Sequence, residues 1–124
     1  MEILIDSDAL IEVQRGRNEA VVTKWRSLAG SEDVLLYSPV AAAELWHGAR
    51  PEEHEVIEQL FSALICVPID SPTRRRAGGY LRQYRRSHGV ELGDALIAAA
   101  ASLHHAALWT RGRRHYPMAD VVFL

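Results

Sequence analysis

Glu2-Ile3-Leu4-Ile5-Asp6-Ser7-Asp8-Ala9-Leu10 is the stretch that decides the fold. Glu2 to Ile5 is a short apolar run that stops at an acid, which reads as a buried strand. Asp6-Ser7-Asp8 then reads as a helix start, with Ser7 or Asp8 as the N-cap. A helix over about Ala9 to Gln14 follows, and it breaks at Arg15-Gly16-Arg17-Asn18.

The same alternation recurs along the chain. Val21, Val22, Trp25 and Leu28 have helical spacing within Glu19 to Leu28, which stops near Gly30. Val34 to Tyr37 is a second strand. Ser38 and Pro39 give a cap and a first-position proline to an alanine-rich helix over Val40 to Gly48. Pro51-Glu52-Glu53 opens the next helix, with acids where the helix dipole favours them. Leu64 to Ile69 reads as a third strand. Ser71-Pro72 repeats the cap signal before an arginine-covered helix over Thr73 to Ser87. Gly93 to His105 is a very apolar helix, Ala107 to Thr110 a fourth strand, Arg111 to Met118 a loop, and Asp120 to Phe123 a short last strand. Strands alternating with helices predict an α/β fold, a parallel sheet of four to five short strands between two helical layers. No internal repeat or linker interrupts the pattern, so residues 1–124 are expected to form one domain.

Composition narrows the function classes. The chain has 124 residues, 48% hydrophobic and 24% charged, enough for a core and unlike a disordered chain. A lone cysteine, Cys66, excludes an internal disulfide framework and cysteine-rich metal sites. The longest apolar stretch, Ala95 to Leu103, is about half of the roughly 20 residues a membrane span needs. The N-terminal residues carry no basic segment and meet an acid at once, so no signal peptide is expected. These features predict a soluble protein of a reducing compartment, the cytoplasm, with no membrane partner. The net charge of −2 conceals an asymmetry: Arg74 to His115 holds nine arginines and two acids, and the rest of the chain five bases and fourteen acids. A basic half beside an acidic half points to a polyanionic partner at one face, although solvated helix faces account for many arginine runs.

In parallel sheets the binding crevice lies beyond the carboxyl ends of the strands. Asp6 and Asp8 follow the first strand, Asp70 the third, and Thr110 closes the fourth. Asp94 opens the apolar helix before the fourth strand. Glu44 stands among Val40, Ala41, Ala42, Ala43, Leu45 and Trp46. If buried it needs a cation or a hydrogen-bonding partner; otherwise it is one exposed position on an amphipathic helix. Carboxylates converging in one crevice repel each other unless a divalent cation sits between them, and hard oxygen donors suit Mg²⁺ or Mn²⁺. Such a cation keeps sites for phosphate oxygens and an attacking water, the arrangement of metal-assisted phosphodiester hydrolysis.

Four blocks, in order, resemble the PIN domain, specifically the VapC-type ribonuclease toxins of type II toxin–antitoxin (VapBC) modules. They are Ile3 to Ile11, Ser38 to Ala49, Leu92 to Ala101 and Leu108 to Pro117. The resemblance implies a PIN-like three-layer α/β/α fold with Asp6, Glu44 and Asp94 as the acidic metal site. Thr110 matches the family's Ser/Thr that positions phosphate or water. Asp8 falls where the family varies among Asp, Asn and Ser, an auxiliary ligand. Two positions past the threonine many relatives carry Asn or Asp. Here it is Gly112, so a fourth acid is missing there, with Asp8 and Glu91 the candidates to compensate. The implied reaction is Mg²⁺- or Mn²⁺-dependent hydrolysis of RNA, leaving 5′-phosphate and 3′-hydroxyl ends. Arg82, Arg85, Arg111, Arg113, Arg114 and His115 are the expected RNA contacts, and a single-stranded loop the expected target. The implied partners are a VapB-type antitoxin and a second copy of the chain, as a homodimer or a toxin–antitoxin hetero-oligomer. Trp25 and Trp46 are expected to be buried core.

Two other Asp-rich α/β families fit less well. A haloacid-dehalogenase-type phosphatase and a receiver domain each require a downstream lysine, and Lys24 is the only lysine in the chain. The remaining alternative is a catalytically weak PIN module that binds RNA or an antitoxin and regulates, weakened at Gly112.

Overall fold

Ile3, Leu4 and Ile5 are 0%, 1% and 1% exposed, so the first strand is covered on both faces, as its unbroken apolar run predicts. A computed structural model describes residues 1–124. It orders the chain as β1 (Glu2–Ile5), α1 (Ser7–Arg15), α2 (Glu19–Ala29), β2 (Val34–Tyr37), α3 (Pro39–His47), a short 3₁₀ turn (Pro51–Glu53), α4 (His54–Ser62), β3 (Ile65–Cys66), α5 (Ser71–His88), α6 (Leu92–Leu103), β4 (Ala107–Trp109), a second 3₁₀ turn (Arg113–His115) and β5 (Val122–Phe123). All pairings are parallel, in the order β3-β2-β1-β4-β5.

That order carries the functional consequence. The chain winds outward from β1 through β2 to β3, then returns to the other side of β1 for β4 and β5. The reversal falls between β1 and β4, where helices leave toward opposite faces and open a crevice at the strands' carboxyl ends. Residues alternate between two cores on either side of the sheet. Leu4, Leu36 and Leu108 pack with Ala77, Tyr80 and the buried alanines of α6. Ile3, Ile5, Leu35 and Trp109 pack on the other face with Leu10, Val21, Ala41, Leu45 and Leu60. The three-layer α/β/α arrangement expected from the sequence is the observed one.

Local chemistry accounts for most element ends, with three corrections. The cap of α1 is Asp6, whose Oδ1 accepts from the Ser7 amide at 2.8 Å, not Ser7 or Asp8. The cap of α5 is Asp70, whose Oδ1 accepts from the Thr73 amide at 3.1 Å, not Ser71. In both places the helix starts earlier than the spacing suggests, because an acid just before it satisfies the free amides. Ser38 and Pro39 act as expected. The third strand is confined to Ile65–Cys66 rather than Leu64 to Ile69, since Pro68 has no N–H for the ladder. Trp25 is half-buried and Trp46 is exposed, whereas Trp109 on β4 is the buried tryptophan.

The alanine run of α6 lets that helix lie close against the sheet; Ala95, Ala98 and Ala99 are each 0% exposed. Ala98→Leu, which overfills this layer, is expected to lower stability by about 1–3 kcal/mol, read as a fall in the urea midpoint without a change in slope.

Candidate active site

The crevice between β1 and β4 is closed at its floor by one side chain. Asp6 is the first residue beyond β1, and its amide donates to the Trp109 carbonyl at 2.9 Å, which locks the ends of the two strands together. The residue is 7% exposed, and burying its charge requires partners. They are present. Oδ1 accepts from the Ser7 amide at 2.8 Å and lies 3.4 Å from the Ser7 hydroxyl. Oδ2 accepts from the Thr110 hydroxyl at 2.9 Å and the Tyr116 hydroxyl at 2.6 Å. Asp6 also sits at the start of α1, where the helix dipole favours negative charge.

The other acids are arranged around this floor. Asp8, in the first turn of α1, accepts from the Arg111 amide at 3.0 Å and lies 3.3 Å from the Thr110 hydroxyl. It ties the loop after β4 to α1. Glu44 is an exposed residue of α3, so the amphipathic alternative describes its position. Its carboxylate still turns to the crevice, where Oε2 accepts from the Ser7 hydroxyl at 3.0 Å. Asp94 is half-buried in the first turn of α6 and accepts from the Glu91 amide at 3.3 Å. A β-carbon on Gly93 would stand 3.4 Å from Val40 Cγ1 and 3.8 Å from Glu44 Oε1. A glycine there lets the start of α6 press against α3.

These four carboxylates share one electrostatic field. Asp8 is held above the usual aspartate range, first by burial and then by the charge of Asp6. Glu44 is raised by burial, against the Ser7 hydrogen bond, and further by Asp6, Asp94 and Asp8. Asp94 is raised by burial and by Asp6 and Glu91, opposed by the Glu91 amide and the His115 charge. No arginine, lysine or histidine forms an ion pair with any of the four.

The donor set is therefore hard oxygen with uncompensated negative charge, which fits Mg²⁺ or Mn²⁺. No three acidic or imidazole side chains form a ready-made cage. A cation here would be held by one or two carboxylates, its shell completed by water and substrate phosphate.

Ser7 and Tyr116 complete the site; in sequence Ser7 reads only as a helix cap and Tyr116 only as part of a loop. Ser7 is buried and links Asp6 to Glu44. Tyr116 is buried, and burial beside Asp6 raises its hydroxyl far above the usual tyrosine range, so it stays a proton-bearing donor. The signal for Ser7 was its place between two acids, where it reads equally well as a cap. The signal for Tyr116 was an aromatic residue inside a basic loop.

The expected RNA contacts divide into groups. Arg111 pairs with Glu12 at 3.6 Å. Arg113 donates to the Leu124 carbonyl at 3.1 Å and lies over the Phe123 ring at 5.0 Å. Arg114 and His115 are exposed on the same loop, beside the acids. Arg82 and Arg85 are exposed on α5 and are not hydrogen-bonded to the acidic residues. Glu91 is exposed at the cap of α6.

Comparison with known proteins places these features in context. The family model described as PIN domain matches residues 3–121. The chain is 38% identical over 119 residues to Ribonuclease VapC10 of Mycobacterium tuberculosis, covering 95% of this chain and 88% of that protein. The crystal structure of VapBC2 from Rickettsia felis, bound to a DNA fragment from its promoter, superposes with a TM-score of 0.83 at 17% identity, over 100% of this chain and 98% of that one. A toxin–antitoxin complex from Klebsiella pneumoniae superposes with a TM-score of 0.75 at 24% identity, over 97% and 95%. At these identities the two structures show a shared fold.

Two outcomes follow from the site. Tyr116→Phe removes a donor from a buried carboxylate and is expected to lower stability by about 1.5–3 kcal/mol at neutral pH in thermal or chemical denaturation. Glu44 has a raised pKa in the folded state, so the folded chain binds the proton more tightly than the unfolded one, and stability falls as pH rises through that window. Without divalent cations, Glu44→Gln is expected to melt above the parent at neutral pH. The difference should close as pH falls below the ordinary glutamate value of 4.5.

Proposed function

The chain belongs to the PIN domain family, and on that premise we propose that it is an Mg²⁺- or Mn²⁺-dependent endoribonuclease toxin, neutralised by a cognate VapB-type antitoxin. The observation that carries this reading is the uncompensated acid set at the β1/β4 switch point. Asp8, Glu44 and Asp94 are each driven upward in pKa by burial and by neighbouring charge, around an Asp6 whose carboxylate is held in place by three hydrogen-bond donors.

Asp6 and Asp94 would hold the cation, with Asp8 as auxiliary. Once bound, a divalent cation supplies an activated water and offsets charge on the attacked phosphate and the leaving oxygen. Glu44, fixed by Ser7, would help orient the cation or the attacking water. Thr110 and Tyr116 keep the Asp6 carboxylate in one rotamer, so no reorganisation is needed at the moment of reaction. Arg82, Arg85, Arg111, Arg113, Arg114 and His115 lie on the basic half of the chain. Those not engaged within the protein are the ones available to the RNA backbone. A basic side chain from an antitoxin, set among Asp6, Glu44 and Asp94, would occupy the cation's place and block the site. The ribonuclease name of a 38% identical relative and the toxin–antitoxin complex of like fold support this assignment. A homodimer or a toxin–antitoxin hetero-oligomer is the assembly this reading expects.

One observation favours a second reading. Gly112 offers no acid to the site, and a module weakened there would bind RNA or its antitoxin and act in regulation. Cleavage assays separate the two. The purified chain is expected to cut RNA at discrete positions with Mg²⁺ or Mn²⁺ and not with EDTA, and Asp94→Asn to reduce the rate on the order of a hundredfold to a thousandfold. Added Mg²⁺ should also raise the parent's melting temperature more than that of Asp94→Asn. Equal behaviour of parent and variant would favour the regulatory module.

A further inference from the structure

Gly112 has an ordinary backbone, with φ −122° and ψ 65°, so its lack of a side chain answers to space and not to conformation. A β-carbon built there would lie 2.7 Å from His115 Cδ2 and 3.3 Å from His115 Nε2, and 3.5 Å from Asp8 Oδ2. The His115 ring rests on the bare α-carbon of Gly112. A carbon atom at 2.7 Å is well inside van der Waals contact, so any side chain at 112 displaces the ring.

The loop under that ring is braced from several sides. The Gly112 amide donates to Thr110 Oγ1 at 3.0 Å, and the Arg111 amide to Asp8 Oδ2 at 3.0 Å. The His115 amide donates to the Gly112 carbonyl at 3.0 Å. The next residue, Tyr116, reaches Asp6. Arg111 and Arg113 are engaged with Glu12 and Leu124. Arg114 and His115 have side chains that make no hydrogen bond or ion pair within the chain, yet they border an open cleft of about 560 Å³ lined by Asp8, Arg111, Gly112, Arg113, Arg114 and His115. Every side chain on that cleft is charged, polar or absent.

We propose that His115, seated on Gly112, is a substrate-positioning residue that binds an RNA phosphate neighbouring the scissile one, with Arg114 beside it. The inference rests on the ribonuclease reading and deepens it. It assigns the glycine a role, as the seat that aims an imidazole donor at the substrate, where the sequence suggested only a missing acid. A neutral imidazole carries one N–H and suffices as donor. A phosphate held one linkage away fixes the register of the chain over Asp6 and Asp94 and lowers KM more than it raises kcat.

The test is a double-substitution cycle on the full chain with a short RNA that the parent cleaves. RNA affinity is measured in parallel in the Asp94→Asn background by fluorescence anisotropy. His115→Ala and Gly112→Ala are each expected to weaken RNA binding and raise KM about tenfold, with kcat changed far less. The double variant should be no worse than His115→Ala alone, because the glycine acts through the ring. His115→Asn, which keeps a donor nitrogen, should recover part of the loss. Thermal melts confirm that each variant folds. Unchanged affinity in His115→Ala overturns the proposal, as does a Gly112→Ala penalty that persists undiminished without His115. A parent that cleaves while these variants match it leaves the ribonuclease reading standing and removes only this one; a parent that cleaves no RNA overturns both.

Discussion

Everything at the active end of this molecule depends on satisfying one buried carboxylate. Asp6 stands where β1 ends, at the point where the sheet reverses its winding, and water barely reaches it. An unpaired charge there would cost several kcal/mol. The chain answers with donors drawn from three separate segments: Ser7 from α1, Thr110 from the end of β4, and Tyr116 from the loop beyond. The same hydrogen bonds that make the charge tolerable fix the relative positions of those segments. Stability and site geometry are therefore one problem in this fold, and the residues that solve it are few.

The surrounding acids are less comfortable, and that discomfort is informative. Asp8, Glu44 and Asp94 lie close enough to feel one another and lack a basic partner. A structure selected for stability alone would neutralise or separate them. Their juxtaposition is the kind of strain that accompanies functional sites, where a ligand supplies the missing charge. The fold tolerates it because the acids sit at helix starts or on the crevice rim, where dipoles and solvent offset part of the repulsion.

The basic half of the chain is likewise not uniform. Arg76 is held by Ser102 at 2.6 Å, within a cluster in which the Tyr80 and Ser102 hydroxyls both donate to Asp120. Arg111 and Arg113 fasten the loop beside the crevice. Counting arginines by position overstates what is available to a polyanion, since several serve as braces. Those left exposed and unpaired near the acids are the ones whose charge can act outward.

Much of this was legible in the residues themselves. The apolar runs of β1 and β2, the Ser38-Pro39 start of α3 and the alanine face of α6 follow from local period and capping chemistry, which act over a few neighbouring residues. The order of acids after strands was legible too, because the crevice rule ties chain order to place. Other features were decided by contacts between distant parts of the chain. Thr110 meets Asp6 across 104 positions and Tyr116 across 110, so neither partner is visible in the other's neighbourhood. Trp46 and Trp109 look alike in sequence, and only the packing of the two faces exposes one and buries the other. Gly112 reads in sequence as an absence and becomes a seat once His115 is placed on it. Local rules set which elements form, because secondary structure is governed by neighbours. Which side chains converge is set by how the sheet winds, because that alone brings remote residues within hydrogen-bonding distance.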